Sequence, residues 1–213
     1  KVSSALKNGT FTVSGKGKMP ESAMPKAAQK KKIKKIVIKN GVTELPEDAF
    51  RDCSKATVIT IAPTVSRIGA MAFYKTGVEK ITIPKKARNL GYGMLQNCKN
   101  LKELTIPGNF WAREPKKAVN KKNLIGSLIL GNVKKVKFST DFVWQCQETL
   151  GDCEEFEVLE TDPYYKSIDG CIYSKDGKRL EAVPYGRKEI DIAEGCETID
   201  VQSYSYNIEA YIR

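Results

Sequence analysis

Apolar residues recur along this chain at intervals of 22 to 23 residues. Each unit opens with two aliphatic residues one position apart, and apolar or small residues follow 7, 12 and 15 positions after the second of them. The first three units are Ile36/Ile38 with Leu45, Phe50 and Cys53; Ile59/Ile61 with Ile68, Phe73 and Thr76; and Ile81/Ile83 with Leu90, Leu95 and Cys98. This period predicts a solenoid, because one such unit cannot bury its own apolar side and depends on its neighbours.

The same register continues further along the chain, with two interruptions. Later units open at Leu104/Ile106, Val136/Phe138 and Ile190/Ile192, which predicts six or seven rungs. The first interruption, residues 108–132, carries Phe110, Trp111 and a run of lysines, and we expect it to form a widened loop.

The second interruption contains two Asp-Gly pairs, at 169–170 and 176–177. These pairs separate short apolar runs, which is a strong signal for tight β-turns. We therefore expect a hairpin or meander over about 162–186, inserted into the solenoid.

The residues before the first repeat are predicted to cap the open end of the stack. Within this N-terminal cap, residues 1–35, Gly9–Gly15 is expected to form one edge strand and Pro20–Lys35 a short helix or loop. Terminal repeats need such a cover because they otherwise expose apolar side chains to water. The solenoid would then occupy residues 36–213, continuous with the cap in a single elongated domain.

Charge is distributed unevenly along the chain. Residues 1–139 contain 29 Lys and Arg against 8 Asp and Glu, a balance of +21, whereas residues 140–213 contain 7 against 17, a balance of −10. No run of eighteen apolar residues is present, so no membrane-spanning helix is predicted. This strongly basic segment predicts either attraction to an anionic partner or a solvated surface that carries its charge without a ligand.

The six cysteines do not predict a simple disulfide framework. Cys53 and Cys98 occupy equivalent sites two rungs apart, roughly 10 Å at the usual strand spacing, which exceeds the reach of a disulfide, about 7 Å between Cα atoms. We expect them to form a buried ladder of small side chains with Thr76. Pairing among Cys146, Cys171 and Cys196 stays open.

Catalytic and metal-binding patterns are missing from the sequence. The chain has no histidine, which excludes a Ser-His-Asp or Cys-His pair and the usual Cys/His zinc site. We therefore expect a protein that is not an enzyme and has no cofactor.

Several motifs are shared with a known family. The recurring Ile-Thr-Ile-Pro at 81–84, the Ala-Phe pair at 49–50 followed by Cys53, and the cap at 9–15 resemble the BspA-like leucine-rich repeats of bacterial surface proteins. The resemblance implies an α/β fold, a right-handed leucine-rich-repeat solenoid with a parallel sheet on one face. It also implies an exported protein on the cell surface, with its signal peptide removed, that mediates adhesion or protein–protein contacts.

Strand alternation predicts which side chains point out of that sheet. The candidate binding surface comprises Lys35, Lys80, Thr82, Glu103, Lys135 and Lys137, together with Phe110 and Trp111 in the irregular loop.

Three functions are compatible with such a surface. The first is a protein or glycan ligand on a host or neighbouring cell, and the second is an anionic polymer, such as an acidic polysaccharide, held by the basic two-thirds. The third is a structural spacer without a ligand. Nucleic acid is disfavoured because the basic run at 30–35 has no interleaved aromatic residues on which bases could stack.

Overall fold

A computed structural model of the chain describes residues 1–87, 89–107, 133–139, 153–184 and 186–199. Within them, sixteen strands fall into three sheets. The strands are β1 (Val2–Lys7), β2 (Thr10–Gly15), β3 (Gly17–Lys18), β4 (Lys35–Ile38), β5 (Val42–Leu45), β6 (Val58–Ile61), β7 (Arg67–Ile68), β8 (Lys80–Thr82), β9 (Asn89–Leu90), β10 (Glu103–Ile106), β11 (Lys135–Phe138), β12 (Glu155–Glu157), β13 (Tyr165–Ile168), β14 (Cys171–Ser174), β15 (Arg179–Ala182) and β16 (Thr198–Ile199).

The main sheet has eight strands in the order β1-β2-β4-β6-β8-β10-β11-β12. All neighbours are parallel except β1 and β2. Their register stacks the inward side chains into one buried column, which comprises Phe11, Ile36, Ile59, Ile81, Leu104, Val136 and Phe156. The predicted stack of parallel rungs is therefore confirmed.

A second sheet, in the order β3-β5-β7-β9, lies seven residues further along each rung. Here Leu45 pairs with Ile68, and Ile68 pairs with Leu90, which is the register that the sequence predicted. Five residues later, the rings of Phe50 and Phe73 stack with centroids 5.6 Å apart and planes 6° apart. Successive rungs thus supply matching side chains to one continuous core.

The turns between these columns contain almost no helix, so the expected α/β label is not supported. The only helices in the described residues are a 3-10 turn, Glu21–Ala23, and one short α-helix, α1 (Ala27–Lys30). Two positions in each turn have a positive φ that interrupts helical geometry. These residues are Asp48, Met71 and Gly93 at the first position, and Asp52, Lys75 and Asn97 at the second. The chain is a β-solenoid of stacked parallel strands, and the handedness of its coil stays a prediction.

The short strands predicted over about 162–186 are present, because β13, β14 and β15 are antiparallel neighbours in a third sheet, in the order β13-β14-β15-β16; their insertion into a continuing solenoid stays a prediction. Asp169 and Gly170 both have positive φ in the tight turn between β13 and β14. Arg187 ties this sheet to the solenoid, because its Nε donates to the backbone oxygen of Glu154 at 2.9 Å and its Nη1 contacts Asp169 Oδ2 at 3.1 Å.

Two details of the expected organisation are wrong. Residues 9–15 do not form an edge strand, because β1 pairs antiparallel with β2 and occupies the edge itself. The rung expected at Ile190/Ile192 does not join the main sheet in the described part of the chain. Ile190 instead packs with Cys171, Tyr173 and Leu180 in a small separate core, because the chain after β15 stays with the third sheet, where β16 pairs with β15.

The predicted ladder of small side chains is present at the last column of the turns. Cys53, Thr76 and Cys98 are all buried, and Thr76 Oγ1 lies 3.2 Å from Cys98 Sγ. All five cysteines in the described ranges, including Cys171 and Cys196, have free thiols, and Cys146 lies outside those ranges. Burial raises the pKa of the Cys53 thiol to about 12 and that of the Cys171 thiol to about 11.

We expect the buried thiols to resist alkylation in the folded protein. A pKa near 12 in place of 9 leaves Cys53 with on the order of a thousandfold less thiolate, which is the reactive form. Iodoacetamide labelling followed by peptide mapping should modify Cys196, which is partly exposed, long before Cys53 or Cys171. Labelling in denaturant is the control, since every cysteine should then react, and equal rates in the native state would contradict the burial.

Candidate functional site

The outer face of the main sheet carries two columns of outward side chains. One column comprises Lys35, Val58, Lys80, Glu103, Lys135 and Glu155, and the other comprises Val37, Thr60, Thr82, Thr105, Lys137 and Glu157. The structure therefore brings together all the predicted site residues that it describes. Phe110 and Trp111 lie outside the described residues.

Ion pairs cross this face between neighbouring strands. Glu103 accepts from Lys80 at 3.2 Å and lies 3.6 Å from the Nζ of Lys137. Lys135 Nζ lies 3.1 Å from Glu155 and 2.8 Å from Glu157. An anionic ligand on these rungs would have to compete with carboxylates of the protein itself.

Lys35 differs from the other candidate lysines. It is exposed, and it has no ion pair with any residue that the structure describes. Free positive charge on this face is therefore concentrated at the end of the sheet that adjoins the cap.

Lys135 and Glu157 shift each other's pKa. The hydrogen bond from Lys135 holds the pKa of the Glu157 carboxyl below its ordinary value, and Glu157 in turn raises the pKa of Lys135. Both side chains are substantially exposed, so solvent screens the pair and its contribution to stability is small.

We expect Lys135→Met to raise the pKa of Glu157 towards that of a free glutamate, as measured by NMR titration. With Lys135 present, the folded-state pKa is depressed. The pair therefore stabilises the protein above the unfolded-state pKa and loses this effect as pH falls through the lower, folded one. Lys166→Met is the matched control and should leave Glu157 unchanged, whereas no shift in the Lys135 variant would show that the pair is not formed in solution.

Uncharged β-branched residues form a stripe beside the charged column. We call this the threonine stripe; its members are Thr12, Val37, Thr60, Thr82 and Thr105, on adjacent strands from β2 to β10. Adjacent members are about 4.8 Å apart. Each threonine presents a methyl group and a hydroxyl group, so the stripe can offer apolar contacts and hydrogen bonds at a regular spacing.

A groove of about 570 Å³ runs along the second sheet. Its lining carries charges of both signs, including an ion pair of 3.1 Å between Lys18 and Glu44, and it also includes Gly69 and Gly91. Among the residues that the structure describes, no group of three His, Cys, Asp or Glu side chains is arranged to hold a metal ion. In the same residues, no helix has the length and hydrophobicity needed to cross a membrane.

Sequence reasoning missed the contribution of β1 to this surface. Asn8 and Gly9, both with positive φ, make the tight turn that joins β1 to β2. An Asn-Gly pair is the strongest short-range hairpin signal and could have revealed the strand. The turn places Lys7 opposite Thr10, on the outer face.

A comparison with models of known families assigns this repeat. The model described as "BspA type Leucine rich repeat region" matches residues 25–147 with six copies, more than half of the chain. The chain belongs to this BspA-type family. Its stacked rungs are therefore BspA-type repeats, as the sequence motifs indicated, and no curated protein is significantly similar to the chain over its sequence.

Solved structures of bacterial leucine-rich-repeat proteins are also similar. A leucine-rich repeat protein from Eubacterium ventriosum has 20% identity and a TM-score of 0.49, with 93% of this chain and 53% of that chain covered. The pneumococcal vaccine antigen PcpA has 14% identity and a TM-score of 0.45, with coverages of 100% and 61%. A leucine rich cell surface protein from Faecalibacterium prausnitzii has 16% identity and a TM-score of 0.38, with coverages of 91% and 63%. This BspA-type chain thus covers between about half and two thirds of the length of each of these three proteins.

Proposed function

We propose that this BspA-type chain is a non-enzymatic binding protein, exported to the cell surface or beyond it, that mediates adhesive or protein–protein contacts. Its ligand would be a protein or glycan on a host or neighbouring cell. The observation that carries the proposal is the threonine stripe, a row of similar side chains on adjacent parallel strands, in which Thr60 and Thr82 are exposed and the other members are half-buried.

The interior of the solenoid supports a binding role for this face. Between the stripe residues, Ile36, Ile59 and Ile81 point inward and are buried, so the strands are held from below by close packing. A ligand would meet a surface that is already ordered, and binding would lose little free energy to immobilising loops. The chain belongs to the BspA-type repeat family, and resemblance to that family implies display at the cell surface. This membership supports the proposed location outside the cell.

The test is a binding assay with immobilised fibronectin, laminin and mucin as probes. Thr60→Arg combined with Thr82→Arg places two long charged side chains in the middle of the stripe, where interface energy is usually concentrated. We expect at least one probe to bind, and this double variant to weaken binding by about tenfold or more. Ser54→Arg is the matched control, because Ser54 is exposed in a turn away from the face.

Two results would contradict the proposal. If no probe binds above background, a spacer role accounts for the chain better. If Ser54→Arg weakens binding as much as the stripe variant, the ligand does not use the outer face of the main sheet.

A further inference from the structure

The first 43 residues, which comprise the N-terminal cap and the first strand of the repeats with the residues around it, are strongly basic. Residues 1–43 contain eleven lysines, no arginine and one acidic residue, Glu21, a balance of +10, whereas residues 44–139 reach +11 only with seven acidic residues among eighteen basic ones. Of these lysines, only Lys18 has an ion-pair partner among the described residues. The cap is therefore a region of uncompensated charge, unlike the paired lysines on β8 and β11.

Four of these lysines surround one turn. Lys7 pairs in register with Thr10, and Thr10 pairs with Lys35, so the two lysines lie on the outer face about 10 Å apart. The backbone nitrogens of Lys34 and Lys35 both donate to the oxygen of Gly9, at 2.8 and 3.1 Å. The backbone oxygen of Lys32 also approaches this glycine. We call Lys7, Lys32, Lys34 and Lys35 the cap patch.

The cap patch is accessible and has no nearby acid in the sequence. All four lysines are exposed, and the nearest acidic residues along the chain are Glu21 and Glu44. Charges separated by about 10 Å lie within one Debye length at 0.1 M salt, so they attract the same ligand together. The patch is a focus of positive potential.

The chemistry of the cap restricts the kind of anion that fits. Its single aromatic residue, Phe11, is buried, so nucleic-acid bases have nothing on which to stack. The large exposed apolar residues of the described chain all lie beyond residue 43, so an acidic protein would find no apolar anchor here. Lysine is a mobile point charge, whereas selective bidentate recognition of single carboxylates or phosphates favours arginine.

We propose that the cap patch, whose Lys7 and Lys35 lie at the cap end of the outer sheet face, binds an acidic polysaccharide independently of the ligand on the threonine stripe. A flexible linear chain with repeated carboxylate or sulfate groups needs only charge density from its receptor. Binding releases counterions from the polymer, and the affinity therefore falls steeply with salt. The patch lies beside the end of the threonine stripe that begins at Thr12, so the two surfaces are adjacent but distinct.

The experiment compares two variants with the same change in net charge. Lys7→Glu, Lys32→Glu and Lys35→Glu reverse the patch, and Lys34 is retained because its aliphatic stem packs near Gly9. The control reverses three other exposed lysines without ion pairs in the described residues, and its substitutions are Lys55→Glu, Lys85→Glu and Lys86→Glu. Equal thermal unfolding temperatures establish folding, and Lys7→Gln, Lys32→Gln and Lys35→Gln replace the first set if it does not fold.

Binding is measured with polygalacturonate, heparin, neutral dextran and single-stranded oligothymidine at 50 and 150 mM NaCl. We expect the wild-type protein to bind both acidic polysaccharides, and to bind them about tenfold or more less tightly at the higher salt. The patch variant should lose at least about tenfold in affinity at 50 mM and the control variant less than about threefold. Dextran should not bind.

Three results would overturn the proposal. Equal losses in the two variants would show that net charge, and not this patch, attracts the polymer. Tighter binding of oligothymidine than of either polysaccharide would assign the patch to nucleic acid. If the wild-type protein binds neither acidic polysaccharide, the cap patch is not a polysaccharide-binding site. None of these three results decides the outcome of the Thr60/Thr82 test, which uses different probes and different residues.

Discussion

Replacing Phe73 by alanine is expected to lower the free energy of unfolding by about 3–5 kcal/mol. The ring of Phe73 is fully buried and stacks on Phe50, which in turn meets Phe11 edge-to-face with centroids 6.0 Å apart. Removing the middle rung's ring leaves a cavity that the neighbouring rungs cannot fill, because their backbones are hydrogen-bonded to each other. Phe50 N donates to Ala72 O at 2.7 Å, for example.

Tyr92→Ala is the matched control for this effect. Tyr92 is an aromatic residue in the next rung, but its side chain is 47% exposed, so we expect a loss below about 1 kcal/mol. Urea unfolding followed by circular dichroism gives both values. Similar losses for the two variants would show that the Phe50–Phe73 stack does not form part of the core in solution.

Gly69→Ala is expected to destabilise the protein by about 2–3 kcal/mol, although it adds one methyl group. A Cβ at Gly69 would overlap the backbone of Pro46 and Glu47 in the preceding rung, and a Cβ at Gly91 would overlap that of Gly69 and Ala70. Backbone atoms cannot move aside as the end of a side chain can. The rungs would have to separate, which weakens the packing above and below.

Gly93→Asn provides the contrast, because that glycine is present for a different reason. Gly93 has a φ of 62°, and the equivalent positions in the two preceding rungs hold Asp48 at 55° and Met71 at 51°. A side chain is evidently accommodated there, and asparagine tolerates this conformation better than most residues. We expect a change within about 1 kcal/mol, measured in the same urea assay. A neutral Gly69→Ala would contradict the close approach of the rungs.

The columns of the solenoid could be predicted from the sequence because two periods act together. Alternation within each strand decides which residues point inward, and the period of 22 to 23 residues places equivalent residues above one another. Leu45, Ile68 and Leu90 follow that rule and pair in register. The inserted meander was predictable for a similar reason, since its Asp-Gly turns carry a local signal.

Other features depend on information that is not local in the chain. Met71 and Lys75 adopt positive φ without being glycine, so the turns that replace helix leave little trace in the sequence. The ion pairs between Lys135 and Glu157 join strands whose separation along the chain depends on the intervening loop. Charge counts alone therefore could not show that Lys80, Lys135 and Lys137 are paired on the sheet face. Lys35, at the end of the same face, has no ion pair with any described residue.

Distances between spin labels along the outward column that contains the threonine stripe and Lys137 test the stacked solenoid most directly. Labels at Thr12 and Thr82 span three strand spacings, about 14 Å between backbones, and labels at Thr12 and Lys137 span five, about 24 Å. Both pairs would be introduced as cysteines after Cys146 and Cys196 are replaced by serine, and measured by pulsed electron paramagnetic resonance. A distance that grows with the number of rungs is the predicted result, and distances unrelated to rung number would contradict the fold and the binding face built on it.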